Sequence, residues 1–119
     1  MDFDNILIAA HAAAAAAQKG MVEDMNALDC GFAWVRIDGT EPLARHCRKV
    51  LKKAEASLPK GAPLHTRWYG SKGYPSGWQF WCPGDAPVQA VGIHEAGAKA
   101  FAIKLGEYGI RADWSSRLD

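Results

Sequence analysis

The sequence predicts an α+β fold of the ferredoxin-like type, in which a split β-α-β-β-α-β unit forms a four-stranded antiparallel sheet with two helices on one face. All five tryptophans of the chain lie in short strand-like runs, and tryptophan favours a pleated, half-buried surface. Two helical segments separate these runs in the order that the unit requires. An alanine-rich segment precedes the unit and predicts an additional N-terminal helix.

The composition indicates one soluble domain. Of the 119 residues, 49% are hydrophobic and 23% are charged, which are ordinary proportions for a globular chain large enough to bury a core without disulfides or metals. We therefore expect a single domain over residues 1–119, with the N-terminal helix at 1–20 and the β-α-β-β-α-β core at 30–114.

Helix propensity and alternation predict the first two elements. Residues 9–17 are alanine except for His11, which favours a helix that ends near Gly20. Residues 31–37 alternate with the period of two that is typical of a strand. The two faces of this strand carry Phe32, Trp34 and Arg36 on one side and Ala33, Val35 and Ile37 on the other. We expect the aliphatic face to pack against the two helices of the unit.

A basic amphipathic helix is predicted from about residue 41 to 57. Thr40 is a suitable N-cap, Pro42 is tolerated in the first turn, and Pro59 with Gly61 ends the helix. Residues 42–72 hold eight bases and one acid, a net charge of +7. The outward cations of the helix are Arg45, Arg48, Lys49, Lys52 and Lys53.

The second half of the chain predicts a hairpin, a helix and a last strand. Strands at 65–69 and 78–82 are joined by a loop full of turn residues. A third helix at about 85–107 contains Gly92 and Gly97, which are expected to permit close packing. A strand at 110–114 completes the sheet, and the polar tail after it is expected to fray. Right-handed crossovers place the first and third strands at the centre of the sheet.

The residues that carry chemistry form no catalytic or metal-binding pattern. Cys30, Cys47 and Cys82 are widely spaced and include no CxxC pair, which favours reduced thiols in a cytoplasm. The histidines have no metal-ligand spacing with them. We therefore predict a protein that is not an enzyme and has no metal or cofactor. The alanine-rich run is shorter than the roughly 20 apolar residues that span a bilayer, so no membrane partner is expected.

Two surfaces are candidates for binding. The first is the basic helix together with the hairpin loop, because cations and a protruding tyrosine suit an acidic protein surface or phosphates. Its predicted residues are Arg45, Arg48, Lys49, Lys52, Lys53, Lys72 and Tyr74.

The second candidate is the aromatic face of the sheet, where rings on the two central strands would stack unpaired bases. Its predicted residues are Phe32, Trp34, Arg36 and Phe80. The adjacent strand offers either Trp78 with Phe80 or Trp81 to this face, because alternate residues point to opposite sides. The competing interpretation is that the alanine-rich helix lies across this face and buries the rings.

The segments CGFAWVRIDG at 30–39 and FAIKLGEYGIRADWSSRLD at 101–119, with the alanine-rich helix, resemble a family of small uncharacterised bacteriophage and prophage proteins. That family is characterised by an alanine-rich N-terminal helix, a CGFAWV strand and a C-terminal SRLD. The resemblance implies a phage or prophage origin and a location in the cytoplasm of a bacterial host cell.

Together these features predict a non-enzymatic binding protein, acting as a monomer or homodimer on a host protein or nucleoprotein complex. One such role is stoichiometric inhibition of a host defence complex, as by anti-CRISPR proteins. The alternative is a single-stranded nucleic-acid-binding module that uses the aromatic face.

Overall fold

A computed structural model describes residues 2–22, 30–62, 67–87 and 90–118. The fold is α+β, with three helices and one antiparallel sheet of four strands in these residues. The α+β class, the additional N-terminal helix and the four-stranded antiparallel sheet are therefore confirmed. The elements are α1 (Phe3–Val22), β1 (Gly31–Ile37), α2 (Pro42–Ala56), β2 (Ser71–Lys72), β3 (Trp78–Trp81), α3 (Val91–Glu107) and β4 (Ala112–Leu118).

The strand order of the sheet is β2-β3-β1-β4, so β1 and β3 occupy the centre as predicted. β1 pairs with β3 in a register that sets Trp34 opposite Trp81 and Val35 opposite Phe80. On its other side β1 pairs with β4 over seven residues, from Gly31 opposite Leu118 to Ile37 opposite Ala112. These two central strands fix which side chains share a face.

The three helices all contribute to one core on the same side of the sheet. The inner side chains of β1 and β3 are Ala33, Val35, Ile37, Trp78 and Phe80. The helices add Ile6, Leu7, Ala10 and Ala14 from α1, Leu43, Ala44, Cys47 and Leu51 from α2, and Ala98, Phe101, Ala102 and Leu105 from α3. The interpretation in which the alanine-rich helix covers the aromatic face is therefore wrong, since α1 belongs to the opposite layer.

The small residues of α1 and α3 let these helices approach closely around one buried polar side chain. Gln18 is 2% exposed, and its Nε2 donates to the carbonyl oxygens of Pro83 at 3.0 Å and Ile93 at 3.3 Å. A Cβ on Gly97 would lie 2.3 Å from that nitrogen, so the predicted close packing at Gly97 is confirmed. Gly92 has no such role, because a Cβ there would lie 3.9 Å from Met21 Cε.

Two predicted strands have different limits in the structure. The strand that pairs with β3 is Ser71–Lys72 and not 65–69. Residues 65 and 66 lie outside the described ranges, and residues 67–69 form a turn whose rings pack on α1, with Trp68 stacked on His11 at 3.9 Å. The C-terminal tail does not fray through residue 118, because it forms the second half of β4 and pairs with β1.

The start of α2 also differs from the prediction. Glu41 occupies the N-cap position, and no side chain caps the helix there. The hydroxyl of Thr40 instead donates to Asp38 Oδ1 at 2.7 Å, within the turn after β1. Among the described residues, no helix has the length and hydropathy needed to cross a membrane.

Candidate functional site

The aromatic face, which we define as Phe32, Trp34 and Trp81, lies on the side of the sheet opposite the helices. Trp34 and Trp81 are cross-strand partners whose ring centroids are 5.4 Å apart with planes within 10° of parallel. Phe32 lies 5.4 Å from Trp81 on its other flank. All three side chains are partly exposed. The alternation of β1 and β3 thus produces one contiguous group of rings on the two central strands.

Phe80 does not belong to this face, and its assignment there is wrong. Its Cα partner is Val35 on the inner side of β1, and its side chain is 0% exposed. The ring packs against Phe101 of α3 with centroids 4.9 Å apart. Trp81, which the sequence offered as the alternative, takes the outward position, because adjacent residues of a strand point to opposite sides.

Charged and polar side chains extend the aromatic face along β1 and onto β4. Arg36 follows Trp34 on the same side and is the partner of both Gln79 and Asp113. Its guanidinium donates to the carbonyl oxygen of Tyr74, which anchors the loop before β3. Arg117 of β4 is exposed and lies opposite Phe32. The side of the sheet that carries the three rings therefore also carries two arginines, one on β1 and one on β4.

The structure does not bring together all seven residues of the first binding surface, which was predicted to consist of the basic helix and the hairpin loop. All of its predicted cations are exposed. Arg48, Lys52 and Lys72 line one open cavity of about 400 Å³ on the surface between α2 and β2, together with the acidic Glu55, whereas Arg45, Lys49 and Lys53 are not part of its lining. Tyr74 is 77% exposed, but it lies with Arg36 through the bond to its carbonyl. The cavity thus brings two cations of the helix together with one of the hairpin. These are three of the seven residues predicted to bind a partner, and their role in binding stays a prediction.

Arg48 has structural contacts that the other two cations of this cavity are not seen to make. Its guanidinium donates to Gly39 O at 2.6 Å and lies 5.7 Å from the centroid of the Trp78 ring. These contacts join α2 to the turn after β1 and to β3. A substitution of Arg48 would therefore change the fold as well as the surface charge, and Lys52 and Lys72 are the better probes of binding.

Two of the three cysteines, Cys47 and Cys82, are buried, whereas Cys30 is exposed. Cys47 lies in the core, where burial raises the pKa of its thiol to about 12. Burial also raises the pKa of the Cys82 thiol. A protonated thiol is a poor nucleophile. In the described part of the chain, no three His, Cys, Asp or Glu side chains are grouped to hold a metal ion.

A polar cluster that the sequence analysis missed joins α1, α2 and the turn at 67–69. His46 Nε2 lies 3.0 Å from Asp4 Oδ1, and the Tyr69 hydroxyl donates to the same oxygen at 3.3 Å. The hydrogen bond with His46 lowers the pKa of Asp4. Asp4 is separated from His46 by 42 residues, and no local pattern signals such a contact. The cluster ties the N-terminal end of α1 to α2 and to the turn at 67–69.

Comparisons with protein-family models, curated proteins and solved structures find no match. The resemblance to phage and prophage proteins stays a prediction based on residues 30–39 and 101–119. In the structure these two segments are neighbours, because β1 and β4 pair with each other.

Proposed function

We propose that this chain is a non-enzymatic binding protein that takes single-stranded nucleic acid on its aromatic face. The observation that supports the proposal is the contact between Phe32, Trp34 and Trp81 on the side of the sheet away from the helices. Single-stranded nucleic acid is recognised by aromatic rings on sheet surfaces, because every base has a π-face that can stack. The proposed fold of the unit from β1 to β4 is ferredoxin-like, with the rings on its two central strands.

The two arginines beside the rings suit a nucleic-acid strand, and the same side of the sheet also carries one acid, Asp113, opposite Arg36. Arg36 of β1 and Arg117 of β4 lie on the same side of the sheet as the rings. Arg36 follows Trp34 along β1, and Arg117 is the cross-strand partner of Phe32. Each phosphate neutralised on a single strand contributes a slope of roughly −0.7 to the dependence of log K on log salt. Two arginines therefore predict a shallow salt dependence, with most of the affinity coming from stacking.

Replacing Trp34 with alanine is expected to weaken binding of a labelled oligo-dT by about 5- to 150-fold, because stacking of one base contributes about 1–3 kcal/mol. Fluorescence anisotropy at low salt measures the dissociation constant. Trp68→Ala is the control, since Trp68 is 43% exposed but stacks on His11 of α1, away from the aromatic face. Absence of binding by the wild-type protein, or equal weakening by both variants, would contradict the proposal.

A second candidate function is supported by the cavity that Arg48, Lys52 and Lys72 share. We propose that a phage- or prophage-encoded protein of this kind binds an acidic surface of a host protein complex there, as a stoichiometric inhibitor of host defence would. Cations gathered from two elements steer association with such a surface and define its orientation.

The double charge reversal Lys52→Glu/Lys72→Glu is expected to abolish capture of that partner from a bacterial lysate, as judged by mass spectrometry of co-purified proteins. Lys49→Glu/Lys53→Glu is the matched control: it changes the net charge equally, but neither residue lines the cavity. The cavity is excluded as the binding site if both double variants retain the partner equally well. Loss of the partner with both would indicate a long-range charge effect and would also contradict the proposal.

A further inference from the structure

β4 is an edge strand that pairs with its neighbour without interruption. In the described part of the chain its one strand neighbour is β1, with which it pairs over all seven of its residues. A long edge strand presents a row of unpaired backbone groups and is a template for pairing with another chain. Edge strands are commonly protected by proline, a bulge or charged side chains, especially lysine. The sequence ADWSSRL of β4 has no proline, bulge or lysine, and its two charged residues, Asp113 and Arg117, are of opposite sign.

The hydrogen bonds of the sheet identify which backbone groups of β4 point outward. Cys82 N donates to Ala33 O at 2.8 Å, so Ala33 directs its backbone groups toward β3. Successive residues of a strand direct these groups to opposite neighbours, and Phe32, Trp34 and Arg36 therefore bond to β4. Their partners on β4 are Arg117, Ser115 and Asp113. The residues left with outward-facing N–H and C=O groups are Ala112, Trp114, Ser116 and Leu118.

We propose that two copies of this chain associate by antiparallel pairing of their β4 strands about a twofold axis at Ser115. This register sets Trp114 opposite Ser116 of the second copy and Ala112 opposite Leu118. All four outward-facing residues of each strand then form hydrogen-bonded pairs. The contact is isologous, as in most soluble homodimers.

The charges of β4 are complementary in this register. Asp113 and Arg117 of β4 are both exposed and share the side of the sheet that carries the aromatic face. About an axis at Ser115, Asp113 lies opposite Arg117 of the second copy, twice in each dimer. These are non-hydrogen-bonded pairs, in which the side chains are closest. A shift of the axis to Trp114 would set Arg111 opposite Arg117, so like charges disfavour that register.

Apolar side chains on the other side of β4 support the same contact. Trp114 is 39% exposed and Leu118 is 64% exposed, and both lie on the side of the helices. In the proposed register Leu118 is a diagonal neighbour of Trp114 from the second copy, at a separation that an aromatic side chain spans. Dimerisation would cover both side chains and join the two sheets into one, with the two aromatic faces on the same side.

Sedimentation equilibrium of the full chain tests the proposal independently of nucleic-acid binding. The wild-type protein, with a monomer mass of 12.9 kDa, is expected to give twice that mass at high concentration. Asp113→Arg and Arg117→Asp each set like charges opposite one another and are expected to raise the dimer dissociation constant about tenfold or more. Far-UV circular dichroism verifies that both variants are folded.

Mixing the two variants is the decisive measurement. In a mixed pair every arginine at positions 113 and 117 faces an aspartate, so the two weakly associating variants are expected to form a heterodimer at least as tightly as the wild type. The proposal is overturned by a monomeric wild-type protein at all concentrations, by single variants that dimerise as the wild type does, or by a mixture that stays dissociated.

Discussion

Replacing Gly97 with alanine is expected to destabilise the protein by about 2–3 kcal/mol, although alanine is the better helix former. A Cβ at this position would lie 2.3 Å from Gln18 Nε2 and 2.6 Å from the carbonyl oxygen of Pro83. The carbonyl belongs to the backbone and cannot rotate away. Displacing Gln18 would break its bonds to Pro83 and Ile93 and leave buried carbonyls without their donor.

Urea unfolding of Gly97→Ala followed by circular dichroism measures this effect. Gly106→Ala is the matched control on the same helix, because nothing lies within 4 Å of the Cβ that it would add. We expect Gly106→Ala to raise the free energy of unfolding by up to about 1 kcal/mol through helix propensity. Similar stabilities for the two variants would show that α1 and α3 do not approach each other as closely as described.

Local patterns predicted the elements whose side chains alternate or have strong propensities. The alternation of 31–37 identified β1 and the correct division of its side chains between two faces. The alanine run identified α1, and Gly97 marked a close contact. These predictions succeeded because each depends on the sequence near the element itself.

Placement of α1 could not be predicted, because it depends on contacts between residues distant in sequence. His11 bonds to the carbonyl oxygen of Trp68, 57 residues away, and the alanines of α1 are compatible with either side of the sheet. The same contact explains why 67–69 is not a strand. Its aromatic residues have strand propensity, but their rings pack on α1 and Asp4 instead.

The sequence left open which side chains of β3 face the helices, although one residue, Gln79, indicated the answer. The run WQFW is apolar at three of its four positions, so hydrophobicity alone does not choose a face. Gln79 is the exception, and a polar residue in a central strand favours the open side. Since Trp81 is two residues from Gln79, it shares that side, and Phe80 then points to the core. The register with β1 agrees with this assignment.

Separate substitutions of Phe80 and Trp81, which are adjacent in β3, are expected to have different effects. The change at Phe80 should mainly lower the free energy of unfolding, and the change at Trp81 should mainly weaken nucleic-acid binding. Phe80→Ala would remove a fully buried ring that packs on Phe101, at a cost of about 3–5 kcal/mol in the free energy of unfolding. Trp81→Ala would remove a partly exposed ring, and we expect it to cost less than half as much. Urea unfolding of both variants gives the comparison.

The affinities of the variants at Phe80 and Trp81 for labelled oligo-dT are expected to rank in the opposite order to their effects on stability. Trp81→Ala removes the ring that contacts both Phe32 and Trp34, so its affinity should fall by about 5- to 150-fold, as one lost stacking contact is worth about 1–3 kcal/mol. Phe80→Leu keeps most of the buried volume and a folded protein, and its affinity should equal that of the wild type. The two residues are adjacent and point to opposite faces of the sheet. An equal loss of affinity in Phe80→Leu and Trp81→Ala would therefore contradict the proposal. It would mean that oligo-dT binding depends on the stability of the sheet and not on stacking against the aromatic face.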